Sequence, residues 1–161
     1  MLNDMNVAEL QKTIGYTFED KALLCRAFVH SSYANLKKQK SYERLEFLGD
    51  SLIGFVVADR LVADFPTKQE GDLTRMRQRL VEGKNLASLS RKLGFESCVS
   101  VIKNVAVSDD ILEDVFEALV AAIYLDGGFE KAKTFVLNNF ESQLDNMDEK
   151  VEKDFKSMVN E

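Results

Sequence analysis

The chain has one proline, one histidine, two cysteines and no tryptophan among its 161 residues. With Pro66 as its only proline and no Asn-Gly or Asp-Gly turn between alternating apolar runs, the sequence gives no hairpin signal, and long helices are free to form. Cys25 and Cys98 form no C-x-x-C pair and cannot build a disulfide framework, which predicts reduced thiols in a cytoplasmic protein. No apolar run is long enough to span a bilayer, and "MLNDMNVAEL" lacks a basic start and an apolar stretch, so no membrane association is expected. One histidine, His30, excludes a two-histidine nuclease and the paired Glu-x-x-His of a di-iron bundle. There is no P-loop, G-x-S-x-G or zinc spacing, and no organic cofactor is expected.

What is present is helical periodicity. "VAELQKTI" and "DKALLCRAF" read as short helices, the second capped by Asp20. Tyr42 to about Asp64 reads as a long helix stopped before Pro66. "GDLTRMRQRLV", "KNLASLSRKL", "SDDILEDVFEALVAAIYL" and "FEKAKTFVLNNF" complete an all-α bundle, with Gly94 and Gly127 as stops. The remainder, "DNMDEKVEKDFKSMVNE", is polar enough to read as a linker. His30, in "AFVHSSY", is expected to fix a loop by hydrogen bonds, and Lys37, Lys38 and Lys40 to lie in a solvated loop.

The long helix carries an anomaly. At about 100° per residue, Glu43, Glu46 and Asp50 fall within a sector of roughly 60°. Leu45, Leu48, Leu52, Phe55 and Val56 form the expected core-facing stripe. Followed onward, however, the acidic side becomes Gly54, Val57 and Leu61, which is not a solvated face. The helix from Ile111 to Leu125 is apolar nearly all round, yet Asp114 and Glu117 share one of its faces beside Ala118 and Ala121. Glu113, about 100° away, is expected to reach solvent.

Two buried helices with carboxylate clusters can offset desolvation and like-charge repulsion by facing each other around cations, or by keeping some acids protonated. All-oxygen ligands select Mg²⁺ or Mn²⁺, and the chemistry that fits is metal-assisted displacement at phosphorus. Net charge is −6, and residues 1–144 hold 21 acids against 18 bases. If Glu43, Glu46, Asp50, Glu70, Asp114 and Glu117 belong to such a site, the rest of that body is mildly basic, and binding of a polyanion should depend on the metal.

"ERLEFLGDS", Glu43 to Ser51, closely resembles the signature of the ribonuclease III endonuclease domain. The likeness runs over about residues 5 to 145, through "VHSSY", "FPTKQEGDLTRMRQRLV" and "ILEDVFEALVAAIYLDGGF". It implies an all-α endonuclease that forms a homodimer and cuts double-stranded RNA with Mg²⁺, for which Mn²⁺ can substitute. The implied products have 5′-phosphate and 3′-hydroxyl ends with two-nucleotide 3′ overhangs, as in rRNA and mRNA processing. It further implies Glu46, Asp50, Asp114 and Glu117 as the metal cluster, with Asp50 and Glu117 catalytic, and Glu43 and Glu70 as an auxiliary catalytic carboxylate pair.

Phe47, beside the acidic sector, is implied as the aromatic that enters a socket on the partner subunit. Gly49 and Gly54 are expected where helices approach closely. Residues 1–145 then form the endonuclease domain. Residues 146–161 form a linker and the shortened start of a double-stranded-RNA-binding domain, whose loss implies cleavage only at low salt. A non-catalytic RNA-binding or dimerisation module on the same scaffold would predict a lost site acid, and none is lost. A carboxylate-bridged redox protein is disfavoured by the missing histidines.

Overall fold

The computed structural model describes residues 2–160, with the side chains of Asp4, Met5 and 148–160 outside the description. Among the described residues eight α-helices follow in order: α1 (Asp4–Ile14), α2 (Lys21–Arg26), α3 (Ser31–Lys37), α4 (Glu43–Asp64), α5 (Glu70–Val81), α6 (Gly83–Lys92), α7 (Asp109–Gly127) and α8 (Phe129–Asn160). A 3₁₀ turn, Phe95–Cys98, follows α6. The described residues contain no strand, only one isolated parallel bridge between Val29 and Ser100. The expected linker at 146–161 falls where the α8 backbone continues to Asn160, and most of its side chains lie outside the described residues.

α7 is the axle. Its Ile111, Leu112, Val115, Phe116 and the run Ala118–Ile123 are all buried. Each large apolar side chain there contributes roughly 1.5–3 kcal/mol on burial. α7 packs most extensively against α4, then α6 and α8. Its start is set by Ser108, whose Oγ accepts the Ile111 N–H at 3.3 Å. Its end is set by Gly128, whose φ of 93° suits glycine and few other residues. The Ser90 hydroxyl of α6 donates to the Leu112 carbonyl at 2.7 Å, tying a buried hydroxyl to the axle.

The far end of α7 is fastened to the chain's first segment. The Asp126 carboxylate accepts from the Tyr16 hydroxyl at 2.6 Å and from the N–H groups of Glu19 and Asp20 at 3.0 and 2.9 Å. Burial alone would raise this carboxyl, but the bonds from Tyr16, Asp20 and Glu19 hold it below its usual range.

Three sequence expectations are corrected. The segment after His30 is helical: α3 forms because the His30 Nδ1 accepts the Ser32 N–H at 3.2 Å, an N-cap in place of a loop. Lys37 is therefore in a helix, and Lys38 closes it in the left-handed conformation at φ 53°. Phe55 is not core. It is 60% exposed, touching Phe129 edge-on, while Ile53 and Val57 are buried in α4. Gly54 has no neighbour within 4 Å of an added Cβ, so close approach within the chain explains only Gly49.

A carboxylate centre between two helices

The site begins with how near α4 comes to α7. A Cβ on Gly49 would stand 1.7 Å from the Glu117 carbonyl oxygen, so any side chain there would push the helices apart. Because Gly49 lies between Glu46 and Asp50, this approach brings the α4 acids against Asp114 and Glu117. Glu43 and Glu46 also sit in the first turn of α4, where the helix dipole favours negative charge. The Ser41 hydroxyl accepts the Glu43 N–H at 3.2 Å and holds that first turn.

Glu46, Asp114 and Glu117 each present an oxygen within 4.8 Å of the others, an arrangement that can hold a metal ion. Asp50 lines the same cavity as Glu46 and Glu117, and its carboxylate is one of the causes that raise Glu117. Asp50, Glu43, Glu46, Glu113, Glu117 and Phe47 line one open cavity of about 300 Å³. The four acids expected to form a metal cluster are thus brought together, and Glu43 opens onto the same space. Glu70 is not: it lines a separate cavity with Ala58, Leu61, Val62, Leu73, Thr74 and Arg77. Phe47 stands at the mouth, 80% exposed.

The electrostatics are those of carboxylates crowded and partly buried together. Glu117, only 5% exposed, is raised from 4.5 to about 9, first by burial and then by Asp50. Glu46 is raised to about 7 by burial and by Asp114, with which it shares a hydrogen bond. Burial also raises Asp114, against the opposing hydrogen bonds from Glu46 and Tyr42. Hard carboxylate oxygens drawn this close, with Glu46, Asp114 and Glu117 all raised above their usual range, fit a divalent cation. No sulfur or imidazole belongs to the trio.

Two residues were missed from sequence. Glu113 does not simply reach solvent: it lines the acid cavity, and its carboxylate lies where a side chain on Gly83 would be, 2.4 Å from that position. Burial and then Asp114 raise its pKa. Only the absence of a side chain at Gly83 signalled room for it. The second is Tyr42, whose hydroxyl donates to Asp114 Oδ2 at 3.1 Å across a sequence gap that no periodicity spans. Of the arginines that follow Glu70, Arg75 pairs with Asp72 at 2.6 Å, while Arg77 lines the cavity of Glu70.

Known proteins resemble this chain in sequence and in fold. The profile of a family described as "Ribonuclease-III-like" matches residues 20–144. The chain is 42% identical over 148 residues to Ribonuclease 3 of Colwellia psychrerythraea, covering 89% of this chain and 54% of that protein. It is 41% identical over 161 residues to Ribonuclease 3 of Francisella philomiragia, covering 96% and 67%. It therefore spans little more than half to two thirds of the length of these relatives. A solved nuclease domain of ribonuclease III from Campylobacter jejuni, described for flexibility in a region involved in dimer formation, superposes with a TM-score of 0.79. Its identity is 37%, and the match covers 85% of this chain and 97% of that one. Dicer from Pichia stipitis matches at a TM-score of 0.64 and 29% identity, over 81% of this chain and 58% of that one. Acids converging from α4 and the buried α7, together with these likenesses, lead to one assignment: the chain belongs to the ribonuclease-III-like family.

Proposed function

We propose that this chain is a Mg²⁺-dependent endoribonuclease acting on double-stranded RNA, working as a homodimer. The observation that carries the reading is the meeting of Glu46, Asp114 and Glu117 within 4.8 Å, with Asp50 on the same cavity as Glu46 and Glu117. Glu46, Asp50, Asp114 and Glu117 would hold the metal, Mg²⁺ or Mn²⁺. When bound, divalent cations supply Lewis-acid stabilisation of the charge that builds at a scissile phosphate. Asp50 and Glu117 orient the attacking water and accept its proton. Water's oxygen bonds to phosphorus as the bond from phosphorus to the 3′ oxygen breaks, that oxygen takes up a proton, and a 5′-phosphate is left on the downstream fragment of the same strand. Staggered cuts by two copies would leave the two-nucleotide 3′ overhang expected in rRNA and mRNA processing.

Glu43, at the edge of the same cavity, is an auxiliary carboxylate. Glu70 retains the same role in the proposal, although within one chain it stands apart. Phe47 and Phe55 project from α4, along with Val62 at 61% exposure. Exposed apolar side chains along one helix fit burial against a second copy, and Phe47 is the one assigned to a socket there. Among the described residues no helix is long and apolar enough to cross a membrane, and cytoplasmic action on RNA fits the reduced cysteines.

The decisive experiment incubates a long RNA duplex with the chain, with and without Mg²⁺, alongside Asp50→Asn and Glu117→Gln. Cleavage is expected only for the parent with metal; equal cleavage by parent and variants would remove the assignment.

A further inference from the structure

The reading of the acids as a divalent metal centre leaves open what keeps Asp114 aimed. Tyr42 touches both halves of the centre. Its carbonyl accepts the Glu46 N–H at 2.8 Å, seating that acid in the first turn of α4, while its hydroxyl donates to Asp114 Oδ2 at 3.1 Å.

Tyr42 is itself held on every side. It is 2% exposed, and its N–H donates to the Val29 carbonyl at 2.9 Å. Its ring meets the His30 ring edge-on at 6.0 Å. His30 in turn is held by its N–H on the Ser100 carbonyl at 3.1 Å and by Nδ1 lying 2.8 Å from Ser32 Oγ. One residue earlier, the Ser41 carbonyl accepts from Arg26 Nε at 3.1 Å. A side chain fixed this firmly delivers its hydroxyl to one place.

We propose that Tyr42 is a positioning residue of the metal centre, its hydroxyl occupying one oxygen of Asp114 so that the other is left oriented toward the cation. The proposal rests on the metal-centre reading. Partners of this kind, one bond removed from a metal, set ligand orientation, and their loss typically weakens binding about 10- to 100-fold. A tyrosine serving only the core would bury its ring and satisfy its hydroxyl without touching metal affinity. The molecule supplies the control: Tyr16 makes the same kind of bond, hydroxyl to the Asp126 carboxylate at 2.6 Å, at the far end of α7.

The test titrates Mn²⁺ alone, without RNA, into parent, Tyr42→Phe and Tyr16→Phe, reading free Mn²⁺ by electron paramagnetic resonance. The expected result is affinity about 10-fold or more weaker for Tyr42→Phe and parent-like for Tyr16→Phe. Parent-like affinity in Tyr42→Phe, or equal weakening in both variants, overturns the proposal while leaving the metal centre standing. No Mn²⁺ binding by the parent overturns the metal centre and the proposal together. Should Tyr42→Phe not fold, fluorotyrosine at the four tyrosines gives a second readout. With resonances assigned through Phe variants of Tyr16, Tyr33 and Tyr124, Mg²⁺ must shift the Tyr42 signal, and a signal that does not move overturns the proposal.

Discussion

The Glu117 carbonyl lies where a Cβ on Gly49 would have to stand, 1.7 Å away. This is the spacing constraint of the site: a metal acid's own backbone fills the room a side chain would take on the opposing helix.

Gly49→Ala should therefore lower stability by about 1–3 kcal/mol, the cost of overpacking, despite alanine's better helix propensity. Gly54, with open space around it, should accept alanine without loss and gain up to about 1 kcal/mol from propensity. Thermal unfolding of the two variants decides. Similar effects would show that helix spacing is not what selects glycine at position 49.

Without metal, stability should fall as pH rises. Glu117 and Glu46 ordinarily titrate near 4.5 but reach about 9 and about 7 in the fold. Between pH 4.5 and 9 the folded chain holds protons that the unfolded chain has released, so their contribution is complete below 4.5 and drains away upward. Asp126, held low, works in the opposite sense: its contribution is present above its unfolded pKa and lost in acid. Unfolding temperatures in EDTA should accordingly be highest near weakly acid pH and lower at pH 8, and Mg²⁺ should raise them more at pH 8 than at pH 5.5. A flat profile, or a larger Mg²⁺ effect at the acid end, would contradict the protonated-cluster account.

The acids should separate by position. Glu113→Ala removes a carboxylate from the acid cavity and should change the Mg²⁺ concentration needed for half-maximal cleavage several-fold. Glu70→Gln, in a different cavity of the same chain, should disturb metal binding by one chain far less than Glu117→Gln. Calorimetric Mn²⁺ titrations of the three variants check the order.

Phe47→Ser should shift the chain from dimer to monomer in sedimentation velocity. Ring burial is worth about 3 kcal/mol at most, enough for a change on the order of 100-fold in dissociation constant. Its helix should remain intact, since its side chain is 80% exposed within one chain. A variant still dimeric at low micromolar concentration would displace Phe47 from the interface.

How far the sequence carried these conclusions depended on the kind of signal. α4 and α7 were legible because each repeats apolar residues over several turns, and their acids because spacings of three and four survive folding unchanged. α3 was not: unlike α2, which the usual cap residue Asp20 announces, it rests on a cap from His30, a residue type that does not signal a helix start. Phe55 was misread because apolar residues on two sides of α4 look alike in sequence, and only packing tells a core face from an exposed one. Glu113 was misjudged by rotation alone. An angle about its own helix axis says nothing of α6, where Gly83 leaves the space it occupies. Glu70 is the converse, an acid assigned by likeness that the single chain keeps away from the cluster.

The three donors converging on Asp126 mean that the chain's opening segment and the last turn of the central helix share one load path. Trimming or rigidifying Tyr16–Asp20 is then an edit to the axle itself.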